Sequence, residues 1–127
     1  MEAMPNRRRE LTPPDELARL MRETFNHAAF RPLQEEIIDR VIAGGDAFVL
    51  MPTGAGKSIC YQIPAILRPG VGVVVSPLIA LMQDQVEALR QNGVSAEFLN
   101  SSLPSGKAQL VEKRLMSGGA DILYVAP

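Results

Sequence analysis

Beyond residue 70, three short runs rich in β-branched or aromatic residues, 71–75 (VGVVV), 95–99 (SAEFL) and 122–125 (ILYV), alternate with two longer amphipathic stretches. A strand, a helix and a second strand in succession form a crossover that lays the two strands parallel. The alternation therefore restricts the chain to an α/β fold, a mainly parallel sheet flanked by helices. Residues 47–51 (AFVLM), an apolar run between Gly44-Gly45-Asp46 and Pro52, read as an additional, earlier strand of the buried kind.

Spacing sets the helices. Leu17, Leu20, Met21 and Phe25 recur at helical steps behind Asp15, a good N-cap, and predict a helix that stops near Asn26. Pro32 suits a first helical position, and Leu33, Ile37, Ile38, Val41 and Ile42 carry one apolar face up to Gly44-Gly45. Residues 57–67 predict a third helix, which Pro64 should bend or shorten. Leu78, Leu81, Met82, Val86 and Leu89 mark a fourth, closed by Asn92-Gly93. Residues 103–116 predict a fifth, opened by Pro104 and Ser105 and closed by Gly118-Gly119. Residues 1–14 are polar, carry Arg7-Arg8-Arg9 and end at Pro13-Pro14, so they are expected as a flexible basic arm, with residues 15–127 as one domain.

Composition narrows the function classes. The 127 residues suffice for a single core, and a formal net charge of −1 lacks the positive excess of a dedicated nucleic-acid-binding module. Any nucleic-acid binding must be local. No apolar run approaches the roughly 18 residues of a spanning helix, and no apolar segment follows the Arg triplet, so neither membrane insertion nor export is expected. The single cysteine, Cys60, cannot form an internal disulfide, which makes a cytoplasmic location the expectation and core packing the role of that thiol.

The segment with the clearest chemistry is Met51-Pro52-Thr53-Gly54-Ala55-Gly56-Lys57-Ser58, set between the strand predicted at 47–51 and the helix that follows it. Gly54 and Gly56 can take positive φ and let backbone N–H groups approach phosphate oxygens, and the helix N-terminus behind them adds a fixed positive dipole end. Lys57 is a point charge for the β- and γ-phosphates, and the Ser58 hydroxyl can reach Mg²⁺. The generic phosphate-loop pattern asks for Gly where this chain has Met51, so the bland alternative is a surface turn that happens to contain Gly-x-Gly-Lys-Ser.

Residues 30–127 resemble the start of RecQ-type DNA helicases, members of superfamily two. "MPTGAGKS" with "ICYQIPA" is similar to motif I of that family, in which Met commonly stands where the generic pattern has Gly; Ala55 replaces a more usual Gly. The fold implied is a P-loop NTPase of RecA-like type, present here as an incomplete first helicase lobe. "FRPLQEEII" resembles motif 0, which implies that Gln34 reads adenine, that Arg31 lies near the nucleotide and that His27 occupies the place of a base-stacking ring. A carboxamide can donate to N7 and accept from N6–H₂ together, so the chemistry of the first role is sound. Taken alone, His27 reads as an ordinary surface histidine and Gln34 as a solvated polar residue.

"VVVSPLIALMQDQ" resembles motif Ia, and "LNSS" with "YVAP" resembles the strand-end loops of motif Ib. The family implies that Ser76, Pro77, Asn100 and Ser101 line the path of single-stranded DNA, and ligands of open parallel sheets do bind beyond the carboxyl ends of the strands. Hydroxyls, amides and N–H groups there can hold phosphates without a base code. The bland alternative is that Ser76 and Asn100 are turn residues.

The resemblance implies an ATP-driven motor of two lobes that moves 3′ to 5′ on one strand and unwinds duplex DNA in repair and recombination, with ATP and Mg²⁺ as cofactors. Such a motor also needs a carboxylate pair, in this family a DExH box, and an arginine from a facing lobe whose loss alone costs about 10³ to 10⁵ in rate. Neither is visible in the sequence, the DExH box being expected downstream of residue 127 together with the missing helicase lobe. The chain is therefore expected to bind nucleotide without efficient turnover, in the cytoplasm, at the nucleoid or in the nucleus according to the cell. A second possibility is a non-catalytic nucleotide- or DNA-binding module. Three phosphate contacts from Arg7-Arg8-Arg9 would give a salt slope of only about −2.7, a helper's share of affinity.

Overall fold

The structure, a computed structural model, describes residues 14–25, 30–31, 33–51 and 57–127. The chain forms two compact units, Met1–Pro69 and Gly70–Pro127.

The first unit holds three helices, α1 (Pro14–Glu23), α2 (Gln34–Ile42) and α3 (Lys57–Leu67). Their apolar faces meet in one core of Met21, Ile38, Ile42, Ile59 and Ile63, with Leu20, Phe25, Phe30 and Leu67 packed around it. Burial of each such side chain contributes about 1.5–3 kcal/mol, and α2 against α3 is the main helix contact. The Arg68 guanidinium ties the end of α3 to the Val41 carbonyl of α2 at 3.3 Å.

Several expectations are corrected here. Helix α1 begins at Pro14, so Asp15 lies inside it rather than at its N-cap; residues 1–13 of the expected arm lie outside the described residues; proline fits a first turn because its missing N–H would have no helical partner there. Leu33 does not join the helical face. It sits at φ 73°, in the left-handed region, and is 61% exposed, while α2 starts one residue later. Pro64 does not end α3, which continues to Leu67 with Pro64 buried and its carbonyl accepting the Arg68 N–H at 2.9 Å. Burial of Ile59 and Ile63 on the same helix offsets the one hydrogen bond that proline removes.

Residues 47–51 form no strand. The backbone from 45 to 51 is irregular, with Phe48 90% and Leu50 86% exposed. A strand exists only through a neighbouring ladder, and among the described residues every ladder joins strands of the second unit. The segment instead runs beside α2, the Arg40 Nε donating to the Asp46 carbonyl, and together they border a pocket of about 450 Å³.

The second unit alternates β1 (Gly72–Val75), α4 (Ile79–Gln91), β2 (Ala96–Leu99), α5 (Ser105–Met116) and β3 (Ile122–Val125). The sheet has the order β1-β3-β2 and is parallel throughout, with Val75 and Leu99 both in register with Val125. The last strand in sequence is thus the middle one, and Ile122, Leu123 and Tyr124 are buried accordingly. Helices α4 and α5 pack on β2, α4 through the buried Met82, Val86 and Leu89. This is the α/β architecture expected from the alternation, a parallel sheet flanked by helices.

Helices α2, α4 and α5 end alike. Gly44, Gly93 and Gly118 take φ of 95°, 86° and 79°, and the residue after each donates back to the carbonyl of Arg40, Leu89 and Arg114 respectively. Glycine bears this conformation at little cost, which is why each of the three predicted stops falls where it does.

Candidate nucleotide and nucleic-acid sites

In the first unit, Lys57 and Ser58 open α3. Lys57 is exposed and Ser58 half-buried, and the first turn carries no acidic residue that would oppose an anion at the positive end of the helix. Behind them Ile59 and Ile63 anchor the helix in the core, so the lysine and hydroxyl stand on a rigid element. Thr53, Gly54, Ala55 and Gly56, together with His27, lie outside the described residues.

Gln34 departs from the picture of a solvated residue: it is 1% exposed. Its Oε1 accepts the backbone N–H of Arg31 at 2.6 Å, and its own N–H reaches the Arg31 carbonyl at 3.1 Å. The side chain thereby closes the turn that enters α2. Arg31 itself is exposed. Cys60, on α3, is buried, and desolvation pushes its thiol pKa up; it behaves as a core residue, as expected.

In the second unit the parallel register brings the predicted nucleic-acid residues to one edge. Ser76 follows β1 and its N–H donates to the Val125 carbonyl at 2.9 Å; Asn100 follows β2, beside Ala126, whose N–H reaches the Leu99 carbonyl at 3.4 Å. Ser76 and Asn100 thus flank the end of β3. Pro77 and Ser101 are exposed next to them. Both polar side chains also shape their own turns: the Ser76 Oγ accepts the Leu78 N–H at 3.2 Å, and the Asn100 Oδ1 accepts the Ser102 N–H at 2.9 Å.

Two residues that the sequence reading passed over complete this loop. The Ser102 hydroxyl donates to the Asn100 Oδ1, and the Gln83 Nε2 of α4 donates to the Ser102 Oγ at 3.2 Å. The Asn100 Nδ2 in turn contacts the Met82 Sδ at 3.2 Å. The Asn-x-Ser spacing was a readable sign of the turn; the reach of Gln83 across from another helix was not.

A model of the DEAD/DEAH box helicase family matches residues 31–127. The chain belongs to the DEAD/DEAH box helicase family. The matched segment contains every predicted site residue except His27. Within this helicase family the chain is similar to the ATP-dependent DNA helicase RecQ of Haemophilus influenzae, 48% identical over 108 residues that make up 85% of this chain and 17% of that protein. The ATP-dependent DNA helicase Q1 of Rattus norvegicus is 42% identical over 110 residues, 85% of this chain and 18% of that protein. The RecQ-type resemblance is borne out, and the chain spans about a sixth of the length of these curated relatives. As a helicase-family chain with three parallel strands flanked by helices, the described part fits an incomplete RecA-like lobe. No helix of the described residues is long and apolar enough to cross a membrane.

Proposed function

We propose that this chain is the nucleotide-binding part of an ATP-dependent 3′–5′ DNA helicase of RecQ type and that, by itself, it binds ATP without efficient turnover. The observation that carries the reading is Lys57-Ser58 at the N-terminus of a core-anchored helix, inside the matched helicase segment. Lys57 supplies charge to the β- and γ-phosphates, with the N–H groups of Thr53, Gly54, Ala55 and Gly56 as further donors. Mg²⁺ is held mainly by phosphate oxygens and water, so a single half-buried hydroxyl, that of Ser58, is a fitting protein ligand. When bound beside Ser58, Mg²⁺ would supply neutralisation of the phosphate charge.

Gln34 reads the adenine edge, with Arg31 and His27 beside the nucleotide. Single-stranded DNA runs along the carboxyl edge of the sheet, its phosphates held by Ser76, the Pro77 turn, Asn100 and Ser101. Polar side chains and N–H groups grip the backbone without reading bases, as a motor that must pass over any sequence requires. The site of action is the DNA-containing compartment, the bacterial cytoplasm and its nucleoid or a nucleus.

Calorimetric titration of ATP and ADP with Mg²⁺ tests the nucleotide reading: binding that Lys57→Ala abolishes is expected, and binding indifferent to that substitution would remove it. A DNA-stimulated phosphate-release assay tests the rest, with turnover near background expected. The second reading is a non-catalytic nucleotide- or DNA-binding module. Both readings share the Lys57 prediction; substantial turnover would reject the second, and from the first it would remove the lack of efficient turnover.

A further inference from the structure

Along α5 the exposed side chains Lys107, Leu110, Lys113 and Met116 recur every third residue and alternate cation with apolar group. Side chains three apart are neighbours on a helix surface, and because each such step falls about 60° short of a full turn the stripe winds half-way round the helix, with Lys107, Leu110 and Arg114 on one face. Leu110 is 61% and Met116 88% exposed, a large apolar area for a solvated helix. The stripe borders a pocket of about 610 Å³ between α4, β2 and α5, where Phe98 and Leu103 supply an apolar wall. Leu110 also belongs to a second concavity of about 380 Å³ that reaches Lys113 and Met116. None of the residues proposed above for DNA or nucleotide lines either.

The charge at the pocket is fixed from beneath. Glu97 of β2 is 4% exposed, and its two oxygens are taken by Arg90 at 2.8 Å and Arg114 at 3.1 Å. The Arg90 Nε donates to the Ala96 carbonyl at 2.9 Å. Arg90, Lys107 and Arg114 against one carboxylate leave two positive charges in surplus. No hydrogen bond or ion pair engages the Lys107 ammonium among the described residues, and Arg114 gives only its Nε to Glu97.

We propose that this groove docks an acidic peptide segment bearing a bulky apolar side chain, its carboxylates on Lys107 and Arg114 and its apolar side chain against Leu110 and Phe98. Charge complementarity selects the acidic ligand. The apolar wall of Phe98, Leu103 and Leu110 beside the surplus charge selects an acidic segment that also carries an apolar side chain, as a peptide does and a phosphodiester backbone does not.

Fluorescence anisotropy of the full 127-residue chain with a labelled peptide, Asp-Asp-Glu-Leu-Phe-Asp-Asp, in 50 mM salt tests the proposal. Saturable binding is expected, weakened at least tenfold by Lys107→Glu and by Leu110→Asp and kept by Lys107→Arg. Both disruptive substitutions fall on exposed side chains, and unchanged circular dichroism melts would certify the fold. No saturable binding, or binding indifferent to Lys107→Glu and Leu110→Asp, would overturn it. Equal Lys107-dependent binding of a single-stranded oligonucleotide of the same charge would overturn the peptide assignment.

Discussion

Gln34 holds the backbone N–H of Arg31 through its side-chain oxygen at 2.6 Å, and Leu33, one of the two residues between them, sits in the left-handed region at φ 73°. A leucine there costs about 1–2 kcal/mol, whereas glycine adopts the conformation freely. Because Leu33 is 61% exposed, little burial is forfeited on its removal. Leu33→Gly is expected to stabilise the chain by about 0.5–1 kcal/mol after the entropy that glycine adds to the unfolded state. A urea midpoint that moves upward would agree; a fall would show that Leu33 makes a contact worth more than its strain.

Substituting Gln34 separates its two roles. Gln34→Ala removes the partner of the Arg31 N–H and should cost about 1–2 kcal/mol by denaturant titration. If the carboxamide also reads adenine, the same variant loses its preference for ATP over GTP. Nucleotide competition at a temperature where the variant is still folded would reveal unchanged selectivity if the residue were only a cap.

Lys57 is exposed, so Lys57→Ala should leave the melting temperature within a degree or two while cutting ATP affinity at least about tenfold, the equivalent of about 1.4 kcal/mol. Ser58→Ala should weaken binding chiefly when Mg²⁺ is present. An equal loss in excess chelator would argue that the hydroxyl serves the helix rather than the metal.

The loop after β2 predicts a graded response to single-stranded DNA. Asn100→Ala should lower affinity by a similar factor for every sequence tested, as phosphate contacts do. Gln83→Ala should lower it less, by loosening Ser102, and should speed exchange of the Ser102 amide proton. Should Gln83→Ala leave that exchange rate untouched, the bond across from α4 would have no part in ordering the loop.

Cys60 gives a pH dependence with a definite sign. Burial raises its folded pKa, so between the unfolded and folded values the native state keeps a proton that the unfolded state has released. Stability should therefore fall as pH rises through the alkaline range, and Cys60→Ala should flatten that slope while costing some packing. A thiol-labelling rate equal to that of a free cysteine would contradict the burial on which this rests.

What could be read from the sequence followed the features that are local and chemically forced. The helix stops at Gly44, Gly93 and Gly118 were legible because a left-handed residue at a helix end is nearly always glycine, and β3 was legible as an apolar run between turns. Residues 47–51 share that apolar character, but strand formation also requires a neighbour, and five letters carry no record of one. Leu33 fitted the helical period, yet a side-chain-to-backbone bond from Gln34 outcompeted it, a contest that periodicity cannot display. The Lys57-Ser58 pair and the polar ends of β1 and β2 were readable as types; the Gln83 link and the burial of Gln34 depend on elements meeting in space.

The placement of β3 between β1 and β2 also has a temporal side. Neither outer strand pairs with the other, so each has its only described ladder with residues 122–125. During synthesis β1 and β2 leave the ribosome before the strand that pairs with both of them among the described residues, and this three-stranded sheet can assemble only when β3 arrives. Until then Val73 and Phe98 are carried on unpaired edges, which makes the interval before residue 125 emerges the period in which nascent chains of this protein are most exposed to mispairing.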